Sequence, residues 1–67
     1  MALKFLEKAY SIDPDYPFTV FNLAAAYDML GDNKSALKYY VILCDKAEPG
    51  SYLINIARER IAELNKK

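Results

Sequence analysis

The side chains that could do chemistry in this chain are few: Cys44, aspartates at 13, 15, 28 and 32, six tyrosines, and a basic group of Arg58, Arg60, Lys66 and Lys67. Cys44 is the only cysteine, so one chain forms no internal disulfide and assembles no thiolate metal cluster, and its presence fits a reducing compartment such as the cytoplasm. Histidine is absent, which removes the usual general base and the usual metal ligand. The segment Asp13-Pro14-Asp15-Tyr16-Pro17 lacks the alternating oxygen ligands and turn glycine of a calcium loop, so these aspartates read as helix-end residues. No metal, cofactor or catalytic constellation is expected, and the chain reads as a non-enzyme. Tyr10, Tyr16, Tyr27, Tyr39, Tyr40 and Tyr52 recur at helical spacing and read as amphipathic core fillers whose hydroxyls reach water. Cys44, on the apolar side of its segment beside Leu43 and Tyr40, reads as a small buried hydrophobe.

Charge narrows the partners. Nine acidic and nine basic residues cancel, and the basic group is interrupted by Glu59 and Glu63, so it reads as a solvated helix face and no nucleic-acid partner is expected. No uncharged apolar run approaches the roughly 18–20 residues of a membrane span, so no membrane association is expected of what reads as a soluble chain. A hydrophobic content of 54% points to a packed domain and away from disorder. At 67 residues that domain is small enough for its stability to be marginal.

Four segments must position these side chains. In residues 2–12, Leu3, Phe5, Leu6 and Tyr10 fall at the spacing of an amphipathic helix, which Asp13-Pro14 ends. Pro17 suits a first helical turn, and the following helix runs to Leu30 before Gly31, with Val20, Leu23, Ala24, Tyr27 and Leu30 on one face and Phe18, Phe21, Ala25 and Met29 on another. Asp32 is a good cap for a third helix carrying Ala36, Leu37, Tyr39, Tyr40 and Leu43 as far as the Glu48-Pro49-Gly50 break. Ser51 caps a fourth, with Leu53, Ile54, Ala57, Ile61 and Leu64 opposite Asn55, Arg58, Glu59 and Glu63. The expected fold is all-α, with four helices paired antiparallel through short turns.

An internal repeat underlies the pattern. Ala2-Leu3-Lys4-Phe5-Leu6 returns as Ala36-Leu37-Lys38-Tyr39-Tyr40, a displacement of 34 residues. Val20-x-x-Leu23-Ala24-x-x-Tyr27, Gly31-Asp32 and Ala36-x-x-x-Tyr40 together resemble one complete tetratricopeptide repeat. The resemblance divides the chain into the second helix of a partial repeat (1–14), a complete helix pair (17–48) and a C-terminal capping helix (51–67). It departs from the family in Val20 for a large aromatic, Leu43 for alanine, and a late Pro49. In the 34-residue register Arg58 falls where Ala24 stood, and its bulk would hinder a further helix.

The resemblance implies a protein-interaction scaffold that binds a partner peptide or helix through a concave face. On that face it implies Phe18, Phe21, Asn22, Ala25, Asp28 and Met29 from the second helix, with Tyr52 and Asn55 from the fourth. The alternative reading is structural self-association into a homo-oligomer that covers Leu3, Leu6, Phe18 and Phe21, because arrays of this kind generally need about three units to be stable.

Overall fold

In the computed structural model, which describes residues 2–66, four helices follow one another: α1 (Ala2–Ile12), α2 (Pro17–Met29), α3 (Asn33–Lys46) and α4 (Tyr52–Asn65). The fold is all-α, and the described residues contain no strand. Met1 and Lys67, which the expected first and last segments include, lie outside the described residues.

Local chemistry sets the helix ends. Pro14 leaves the end of α1 as a turn in which the Tyr16 amide donates to the Asp13 carbonyl at 3.3 Å. Pro17 then opens α2, where a missing N–H costs nothing. At the other end Gly31 adopts φ +82°, the left-handed conformation that a Cβ would penalise. This lets the Asp32 amide reach the Tyr27 carbonyl at 3.0 Å and the Gly31 amide the Asp28 carbonyl at 3.1 Å, closing the helix in a Schellman motif. The Asp32 carboxylate accepts from the Ser35 amide at 3.2 Å and so starts α3. Two adjacent residues thus end one helix and begin the next. The third helix stops at Lys46, short of Glu48, because Ala47 is already extended at ψ 152°. Ser51 caps α4 by accepting from the Leu53 amide at 3.2 Å.

Each helix packs chiefly on its sequence neighbours, α1 on α2, α2 on α3 and α3 on α4. The result is a slab of 31 × 28 × 14 Å, little more than one helix thick. Its core is a single cluster of Val20 and Ala24 from α2, Ala36, Tyr40 and Leu43 from α3, Ala47 from the turn, and Leu53, Ala57 and Leu64 from α4. The small residues at 24, 36 and 57 let the helix backbones approach, and the larger ones fill the space between.

Three expectations need correction. Leu30 is exposed, because α2 ends at Met29 and the Schellman turn carries the next side chain off the buried face. The small buried residue of α4 is Ala57 and Arg58 is exposed. Leu53 and Ala57 therefore follow Val20 and Ala24 by 33 residues, one fewer than the 34 of the sequence repeat, and Arg58 does not occupy the tight contact. Cys44 is half-buried, on the rim of a surface depression, where the chain turns away before Pro49.

Candidate functional site

The residues singled out on α2 do not share one environment. Phe18, Asn22, Ala25 and Met29 are spaced by four, three and four, which sets them along one side of the helix. Phe18 is 45% exposed and Met29 89% exposed, with Asn22 open and Ala25 half-buried between them. The Phe18 ring leans on Tyr16 at a centroid distance of 5.9 Å. Phe21 is partly buried and packs against the core cluster, so its share of any binding surface is small.

Asp28 behaves differently from its expected neighbours. Its carboxylate receives Arg60 in a two-pronged contact, with Nε to Oδ2 at 2.8 Å and Nη2 to Oδ1 at 2.9 Å, and it also accepts from the Tyr40 hydroxyl at 3.2 Å. The Asp28 side chain is only 17% exposed. A fork-on-carboxylate geometry of this kind is directional and strong for an ion pair. Asp28 therefore ties α2 to both α3 and α4 instead of facing a partner. Burial and the adjacent carboxylate push the Tyr40 phenol above its ordinary pKa, with Arg60 offsetting part of the rise. The hydrogen bond to Asp28 in turn raises that of Arg60.

On α4, Tyr52 is exposed at the first turn and Asn55 is exposed one turn on. Asn55 lines the depression of about 500 Å³ formed with Cys44, Ala47, Pro49 and Ile54, on the side of α4 that meets the end of α3. Asp28 and Arg60 join α2 to α4. Among the described residues no three Asp, Glu, Cys or His side chains gather where a metal ion could bind. Among the described residues no helix is long and apolar enough to cross a membrane.

Tyrosine forms a second, half-buried network. Tyr39 stacks on Tyr27 at 5.6 Å with ring planes 2° apart, and meets Tyr10 edge-on at 5.6 Å. The Tyr27 hydroxyl donates to Glu7 at 2.6 Å, joining α1 to the end of α2. That bond, assisted by burial, pushes the Tyr27 pKa from 10.0 up to about 12. A phenol that keeps its proton longer in the folded chain than in the unfolded chain stabilises the fold fully below the unfolded value. Its contribution is lost as pH rises through the folded value. The urea midpoint is therefore expected to fall between pH 10.0 and about 12, and Tyr27→Phe to flatten that fall. An unchanged slope in the variant would show that the Glu7 contact does not hold the proton.

Glu7 and the acceptor role of Asp28 went unmarked in the sequence, and Arg60, expected on a solvated helix face, instead engages Asp28. The polarity of Tyr27 and Tyr40 was the available signal, since a phenol inside a helix stack needs an acceptor. No protein-family model, curated protein or solved structure matches the chain.

Proposed function

We propose that this chain is a non-catalytic protein-interaction module, built like a segment of a tetratricopeptide array, that holds a peptide or helix of a protein partner on the exposed side of α2, part of the concave face that the resemblance implies. The observation that carries the reading is the Phe18 to Met29 stripe, two large apolar side chains standing in solvent on the central helix with Ala25 leaving room between them. Exposed aromatic and Met side chains at helical spacing suit an apolar anchor on a partner segment. Asn22, exposed within the stripe, offers a polar contact. Asp28 is set aside, since Arg60 and Tyr40 engage it. The repeat reading is supported by two contacts that join helices two apart, Tyr10 with Tyr39 and Asp28 with Arg60, in the manner of stacked helical hairpins. The net charge of zero favours a protein partner over nucleic acid.

Selection of binding peptides from a displayed library, followed by titration of the winners, tests the site. The double substitution Phe18→Ala and Met29→Ala is expected to weaken binding at least about tenfold, the scale of one anchor residue. Both positions are exposed, so the helical signal stays intact. Equal affinity in the variant removes α2 as the binding surface.

A specific observation favours a second reading, self-association. On α1, Phe5 and Ile12 are 73% and 75% exposed, and they lie seven residues apart on one side of the helix.

A further inference from the structure

The side of α1 that carries Phe5 and Ile12 is also basic. Lys8 follows Phe5 by three residues and precedes Ile12 by four, so it stands on the same side between them, and Lys4 lies one turn before Lys8; both lysines are exposed. The one acid of α1, Glu7, is turned to Tyr27, whose hydroxyl it accepts. The surroundings of the exposed α2 stripe have the opposite character. Residues 9–33 carry four aspartates, at 13, 15, 28 and 32, and neither lysine nor arginine. Asp15 and Asp28 meet Lys46 and Arg60 from α3 and α4, while Asp13 and Asp32 are exposed beyond the two ends of α2. The last turn of α2 holds no basic residue, so the negative end of its dipole adds to Asp32, three residues past Met29.

We propose that the basic, apolar side of α1 packs antiparallel on the Phe18–Met29 stripe of a second copy of this chain, so that the α2 stripe of one copy is covered by the α1 of another. The inference rests on the α2 surface proposed above and names what covers it. The stripes fit in length, since seven residues from Phe5 to Ile12 span about 10 Å and eleven from Phe18 to Met29 about 16 Å. Antiparallel order sets Lys4 and Phe5 at the acidic Met29 end of α2 and Ile12 toward Phe18. Charge also decides against pairing like with like. Two α1 helices laid antiparallel on this side bring Lys8 against its own counterpart, because Lys8 sits at the middle of the stripe. Two α2 helices bring aspartates together with no cation from either 9–33 segment between them. Of the three pairings, the unlike one alone covers both apolar stripes while setting cations against anions.

Sedimentation of the full chain over a concentration series tests the contact, with circular dichroism to check that each variant folds. The native chain is expected to self-associate. Phe5→Glu spoils the α1 side and Met29→Lys the α2 side; both positions are exposed, and each new charge suits its end of the helix dipole, so helicity is kept. Each variant alone is expected to need at least about tenfold more chain to associate. A mixture of the two is expected to form mixed pairs near the native concentration, because α2 of the first still receives α1 of the second. Lys8→Glu, which leaves both stripes whole, is expected to weaken association as well. Association at native strength by any one of the three variants alone, or a mixture that stays monomeric, overturns the pairing. A native chain that is monomeric at every concentration overturns it too, and the peptide titration with Phe18→Ala and Met29→Ala then decides separately whether α2 binds another protein.

Discussion

Leu43→Ala is expected to leave most of the chain unfolded at room temperature, read as collapse of the helical circular-dichroism signal and loss of a cooperative melt. Leu43 is fully buried on α3, the helix that packs on both α2 and α4. It belongs to the cluster that includes Val20, Ala24, Leu53 and Ala57, so its removal empties space shared by three helices. Leucine-to-alanine changes at such sites cost about 2–5 kcal/mol, because the transfer energy and the residual cavity add. A domain below about 70–80 residues rarely holds more than ~3–5 kcal/mol in total. One substitution is therefore comparable with the whole margin. The forecast also separates the structure from the family resemblance, in which alanine is the ordinary residue at this place and the change would be harmless. A melt within a few degrees of the parent chain would mean that the neighbours collapse into the cavity and that Leu43 is not central.

Asp28→Ala is expected to destabilise the chain by about 1.5–3 kcal/mol, the scale of hydrogen bonds to a charged group whose partners are left behind. The substitution removes the acceptor for both Arg60 contacts and for the Tyr40 hydroxyl. The loss is expected to be uneven, with the α4 amides exchanging hydrogen fastest, because Asp28 links α4 to α2 directly. Asp28→Asn, which keeps an acceptor for Tyr40, is expected to fall between the two. The Lys46 pair offers the contrast. Asp15 is 74% exposed, and an exposed pair of this kind is worth little against water and salt. If Asp28→Ala and Asp15→Ala prove equally mild, Asp28 is a surface residue in practice and returns to the list of candidate partner contacts.

What was legible in the sequence is what depends on near neighbours. Pro14, Gly31-Asp32 and Ser51 act through the few residues beside them, and the helix ends fell within two residues of the expected places. The alternation of apolar and polar side chains likewise marked Leu53, Ala57 and Leu64 as the inward face of α4. The candidate site was less legible. Asp28 follows Phe21 by seven residues and Ala25 by three, a spacing that joins it to that side of α2, yet its direction is set by Arg60, 32 residues away. That meeting depends on how the Pro49-Gly50 turn rotates α4, and the same rotation puts Ala57 where the repeat register would put Arg58. Gly50 at φ +88° marks the turn concerned. A one-residue change of phase turns a helical position by about 100°, enough to exchange a buried side chain for an exposed one.

The neighbour-on-neighbour packing of the four helices also governs how fast the native state is reached and left. Contacts between helices adjacent along the chain close only short loops, so little entropy must be surrendered before the first attractive contacts form. Helical proteins with such low contact order typically fold in microseconds to milliseconds. With few distant contacts to bar the way back, opening is frequent as well. A quickly exchanging fold is thus expected, and anything that bound only the folded form would deepen its free-energy well.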